Sequence, residues 1–223
     1  MKPSTHVSSL FLVVLFASFA AAQGREPECS TDPKNPEVVA LIKKGIELED
    51  RRDFLGAIET QKRIVAIEPK NECALNTIAG LYGVLGEFQQ EIAYAKRAIE
   101  ANPKYSKAYI NLGNAQAQTG QLKDAEISFR KAGELSPDDP LPIYSLGVLS
   151  EQQRKFSEAI EFYKRSVEID PKFENGYFNL AAMLANLGRF AEAKSMLLKL
   201  LELNPQADDA RAMLRQIERE IPK

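Results

Sequence analysis

Proline stands at Pro69, Pro103, Pro137, Pro171 and Pro205, each 34 residues after the last. A single globular core has no reason to punctuate its chain at a fixed interval, whereas a stack of equal units does. The stretch from Ser106 to Asp139 shows what one unit contains. Tyr109, Leu112, Gly113 and Gln116, then Leu122, Ala125, Phe129 and Ala132, are spaced at three and four residues, the period of a helix with one apolar face. Gly120 separates the two patterns, and Pro137 ends the second because proline lacks a donor and clashes with the preceding turn. The unit is a helical hairpin.

With Leu112-Gly113, Gly120, Ala125, Phe129, Ala132 and Pro137 in those places, the 34-residue hairpin resembles the tetratricopeptide repeat. The resemblance covers residues 38–71, 72–105, 106–139, 140–173 and 174–207 as five repeats without insertions. It implies an all-α fold, a right-handed alpha-solenoid of five tandem tetratricopeptide helical hairpins. Residues 208–223 repeat no hairpin. Ala210, Met213, Leu214, Ile217 and Ile221 nevertheless share one face, as expected of a C-terminal capping helix that covers the last hairpin and turns charge to water. The chain of 223 residues is therefore read as one elongated domain.

The first 22 residues differ in kind. Lys2 is followed by an uncharged run from Leu10 to Ala22 that ends Ala20-Ala21-Ala22, the pattern of a secretory signal peptide cleaved before Gln23. An uncleaved N-terminal anchor is the alternative. A lipid-attached form is disfavoured because Cys29 does not directly follow the small residues. Export to a periplasmic or extracellular space, with no membrane insertion after cleavage, is the expectation. Residues 23–37 read as a linker, with Asn35 as helix N-cap and Pro36 at the first helical position. Cys29 and Cys73 are the chain's two cysteines, so an oxidising compartment favours a disulfide between them over two free thiols.

Composition and spacing disfavour several functions. The formal charge is −2, from 29 basic and 31 acidic residues well mixed, which gives no footprint for nucleic acid or an anionic membrane. The single histidine, His6, leaves with the signal peptide, and with it go the usual general base and the nucleophile pairs that need one. The cysteines lack metal-ligand spacing, and Gly80, Gly83 and Gly86 form no phosphate loop. Asp138-Asp139 and Asp208-Asp209 precede helices, where capping explains them. No catalytic residue, metal site or cofactor is assigned, and the chain is not read as an enzyme.

Packing accounts for most of the pattern. Tyr109 and Tyr177 share a column of first helices, Phe54, Phe88, Phe156 and Phe190 a column at the start of second helices, and Phe129 and Tyr163 a later one; all are expected in the core. Gly45, Ala79, Gly113, Gly147 and Ala181 are small where the two helices of a hairpin cross, answered by Ala57, Ala125, Ala159 and Ala193. Two residues break the columns. Lys44 stands where Ile78, Leu112, Leu146 and Leu180 do, as befits a first repeat with no predecessor. Glu91 stands among those alanines; the sequence offers only the room beside Ala95, with the carboxylate reaching toward water.

Function is sought on the surface. At roughly 100° per residue, Ile110, Asn114 and Ala117 fall on one flank of their helix. The resemblance implies that this flank lines a concave groove in which partners bind. Its columns read Ile42, Asn76, Ile110, Tyr144 and Phe178, then Lys43, Thr77, Asn111, Ser145 and Asn179. An apolar row beside a row of amides suits an extended peptide, the first holding side chains and the second backbone. The expected groove residues are Ile110, Tyr144 and Phe178, substantially exposed, with Asn76, Asn111, Asn114 and Asn179. The alternative is that they pack between neighbouring helices. Ile110, Leu141, Tyr144 and Ser145 occupy places where chaperone-tail clamps carry basic residues, so no carboxylate clamp is assembled. The expected function is an exported protein-binding module for a protein or peptide partner of unknown identity. A self-associating structural component of an envelope or extracellular assembly is the alternative.

Overall fold

A computed structural model describes residues 35–220. The signal peptide, Cys29, most of the 23–37 linker and Ile221 lie outside the described residues. Five hairpins follow in order: α1 (Pro36–Asp50) with α2 (Phe54–Ile67), α3 (Glu72–Val84) with α4 (Phe88–Ala101), α5 (Ser106–Gln118) with α6 (Leu122–Leu135), α7 (Pro140–Gln152) with α8 (Phe156–Ile169), and α9 (Glu174–Asn186) with α10 (Phe190–Leu203). A last helix, α11 (Asp208–Glu220), closes the stack. Each helix packs on its predecessor and successor, and no strand occurs among the described residues. None of these helices is long and apolar enough to cross a membrane.

Local chemistry sets the boundaries. Asn35 Oδ1 accepts from the Glu37 amide at 2.9 Å ahead of Pro36, and Asp53, Asn71 and Asp139 cap α2, α3 and α7 in the same way. Such caps satisfy amides that the helix leaves without partners. The bend inside every hairpin needs one left-handed residue. Gly86, Gly120 and Gly188 supply it at φ of 75°, 78° and 73°, but Arg52 and Arg154 are held there at 59° and 61°, where a side chain is disfavoured.

The helices cross where the small residues stand. A Cβ on Gly113 would lie 2.6 Å from the Phe129 ring, and one on Gly147 2.6 Å from the Tyr163 ring. Ala57, Ala125, Ala159 and Ala193 are wholly buried opposite. The core runs from hairpin to hairpin and ends where Ala210 and Ile217 of α11 bury against α9 and α10. Lys44 is exposed, as its place in the first hairpin requires.

Several aromatic residues lie farther out than periodicity places them. Phe54, Phe88 and Phe190 are half-buried and Phe156 is exposed, because each begins its helix at the hairpin bend. Tyr109 is half-buried, its hydroxyl donating to the Pro103 carbonyl at 3.2 Å.

Candidate binding groove

The first helices α1, α3, α5, α7 and α9 form one wall of the stack, and the faces named from sequence lie along it. Ile110 is not among its open residues. It is only 4% exposed, contrary to the expectation. α5 packs against both α3 and α7, so a residue on its flank is covered by neighbours that a single-helix projection leaves out.

Tyr144 and Phe178 are half-buried rather than open, and both pack against the C-terminal core. The Tyr144 ring meets Phe173 edge-on with centroids 5.2 Å apart and Tyr163 tilted at 5.6 Å. Edge-on and offset contacts of this kind suit the ring quadrupole. Apolar side chains open on this wall are instead Val39 and Ile46 on α1, Val84 at the end of α3 and Leu141 on α7. Val39, Ile42 and Ile46 fall on one face at helical spacing, as do Leu141, Tyr144 and Val148.

The amides are engaged within the protein. Asn111 Nδ2 donates to Asn76 Oδ1 at 2.9 Å and to the Asn76 carbonyl at 3.3 Å, tying α5 to α3. Asn179 Nδ2 donates to the Tyr144 hydroxyl at 2.8 Å, tying α9 to α7. Each bond reaches back one repeat from the residue after the groove column. Asn111 and Asn179 as donors and Asn76 as acceptor therefore tie neighbouring repeats and fix the spacing of the wall. Asn114 is half-buried on the same wall.

Carboxyl groups recur at one level of the repeat along this wall, a feature the sequence reading did not single out. Equivalent positions carry Glu49, Gly83, Ala117, Glu151 and Ala185. Glu151 accepts from the Tyr163 hydroxyl at 2.8 Å. Burial raises the Tyr163 and Tyr144 hydroxyls above the usual phenol range, Tyr144 to about 12, and the Glu151 charge adds to both shifts. Burial also raises Glu49, with the neighbouring Asp50 adding to it.

In the second hairpin the carboxyl comes from the opposite helix. Glu91 of α4 is 4% exposed and does not extend to water past Ala95 as expected. Its room is the missing side chain of Gly83, where a Cβ would lie 2.7 and 2.9 Å from the two carboxyl oxygens. Among the described residues it has neither hydrogen bond nor ion pair. Burial alone pushes it up to about 8, since the charged form loses hydration and gains nothing in return.

Cys73, half-buried on α3, is disulfide-bonded, with the Tyr105 hydroxyl 3.6 Å from its sulfur. Cys29, the partner expected for it, lies outside the described residues.

Family profiles described as tetratricopeptide repeat match residues 74–105, 94–127 and 151–219. The chain carries tetratricopeptide repeats. No curated protein sequence matches it. Among solved structures, a thermophilic tetratricopeptide protein of Thermus thermophilus superposes with a TM-score of 0.70 at 19% identity, covering 81% of this chain and 98% of that one. PilF of Pseudomonas aeruginosa gives 0.68 at 16% identity over 82% and 85%. YrrB, described as a tetratricopeptide protein with an unusual peptide-binding site, gives 0.53 at 23% identity over 69% and 79%. These likenesses establish the fold, a solenoid of paired helices.

Proposed function

We propose that the protein is an exported binding module that holds an extended segment of a partner protein along the wall of first helices. The observation that carries this reading is the exposure of Val39, Ile46 and Leu141 on that wall, apolar side chains at 48%, 55% and 37% where a purely solvated face would carry charge. An extended strand of partner chain presents side chains that such positions can hold. Export rests on residues 1–22, and an oxidising destination accords with the disulfide at Cys73, for which Cys29 is the proposed partner.

The test is capture from the source's own envelope or secreted fraction by wild type and by Ile46→Arg. This substitution places a long cation at an open apolar position of α1, where no core contact is lost. Capture by wild type and its loss in a folded variant support the groove. Equal capture by both removes it.

Self-association is the second reading, favoured by Leu55, which is 67% exposed on the first hairpin while α11 covers the last. Sedimentation across a hundredfold range of concentration decides it: a constant monomer mass excludes this reading.

A further inference from the structure

We infer that Glu91, at the floor of a notch opened in α3 by Gly80 and Gly83, receives a lysine or arginine side chain from the segment held in the groove. The inference rests on the groove reading above and names the chemistry of its ligand.

Asn76, Gly80 and Gly83 follow one another at i, i+4 and i+7, so they share one face of α3, and two of the three have no side chain. Asn111 of α5 borders the notch, its Nδ2 lying 3.6 Å from where a Gly80 Cβ would stand. Glu91 enters from α4 and fills the place of the absent Gly83 side chain. Every fully buried side-chain nitrogen or oxygen among the described residues has a hydrogen-bond partner. The Glu91 carboxyl has none, so its oxygens are nearly but not wholly closed off from solvent. A carboxyl withdrawn from water without a donor is costly, and native proteins retain such groups where something comes to meet them.

The other repeats sharpen the point. Glu151 holds the same level of the wall and is satisfied internally by Tyr163. The residue equivalent to Tyr163 in the second hairpin is Ala95, which offers no hydroxyl. In four of five repeats the Glu91 position is alanine, so packing alone does not call for a carboxyl there. Neither Tyr82 of α3, nor Glu87 just ahead of α4, nor Tyr94 of α4, nor Lys107 and Tyr109 of α5 makes an ion pair or hydrogen bond with it. Glu49 places a second half-buried carboxyl at the equivalent level of the adjoining hairpin. A cationic side chain is the complement of this pair, and the open Val39 and Ile46 on α1 suit apolar neighbours beside it in the same segment.

The test uses a random dodecapeptide display library selected on the full chain and on Glu91→Ala, which substitutes the residue found at this position in the other repeats. The expected result is a fixed lysine or arginine next to apolar positions in wild-type selections, absent from selections on a variant of unchanged helicity. A selected peptide with that residue replaced by norleucine then binds wild type at least tenfold more weakly and binds Glu91→Ala unchanged. Peptides that bind the groove without a basic position, or whose basic position contributes equally in the variant, overturn the Glu91 assignment and leave the groove intact. If no peptide is selected at all, the groove reading and this inference fall together.

Discussion

Hairpins two and four solve the same problem in opposite ways. In the fourth, a glutamate on the first helix, Glu151, meets a tyrosine from the second, and the pair closes on itself. In the second, the glutamate is on the second helix and the first contributes only the space of Gly83. One repeat frame thus yields a satisfied polar contact and an unsatisfied one at the same level. The repeat fixes where side chains stand, and the pairing across each hairpin decides whether they serve the fold or are left for a partner. The wall divides in the same sense, tied through an aromatic hydroxyl between α7 and α9 and through a pair of amides between α3 and α5.

The largest expected effect breaks the closed side of this comparison. Tyr163 is wholly buried, with its ring against Gly147. Tyr163→Ala should cost roughly 3–5 kcal/mol, as truncation of a buried aromatic does, measured by urea unfolding followed by circular dichroism. Tyr163→Phe, which leaves Glu151 without its donor, should cost about 1–2 kcal/mol.

The open side should respond with the opposite sign. Folded Glu91 holds its proton up to about pH 8, against 4.5 in an unperturbed chain. Between those values the folded state binds the extra proton, so the glutamate's presence makes stability fall as pH rises. Glu91→Ala removes that slope. The variant should be more stable than wild type by on the order of 4 kcal/mol at pH 8 and by about 1 kcal/mol near pH 5, a difference read from melting curves at the two pH values. A constant difference across pH would mean that the carboxyl is not held protonated.

A smaller pair of effects compares the two ties. Asn111→Ala and Asn179→Ala should each cost about 1 kcal/mol, the net worth of one hydrogen bond. Unequal losses in chemical unfolding would show that one half of the wall depends on its tie more than the other. The smallest effect lies in the bends. Arg154→Gly should stabilise by about 0.5 kcal/mol, because glycine takes the left-handed conformation without side-chain strain, and differential calorimetry would register it as a melting shift of a degree or two.

The proline interval and the Leu112-Gly113 to Phe129 register made the hairpins legible, because those features depend on contacts inside one unit. Ile110 was not legible. Its burial comes from α3 and α7 together, which no projection of one helix contains. The amides were identified as wall residues but assigned to a ligand's backbone, since their bonds run between repeats rather than within one. Glu91 left a trace that could have been followed: the one glutamate in an alanine column coincides with the one glycine in the column of Glu49, Ala117, Glu151 and Ala185. Reading it required the cross-helix pairing of the hairpin, which column-by-column comparison omits. Arg52 and Arg154 likewise hide a left-handed bend that glycine announces elsewhere.

Amide hydrogen exchange of the full chain, free and with its captured partner or a selected peptide, tests the central claim most directly. Binding along the wall of first helices predicts slowed exchange in α1, α3, α5 and α7, with the second helices little changed. Protection confined to α2, α4, α6 and α8, or to the exposed flank of the first hairpin and α11, would contradict it.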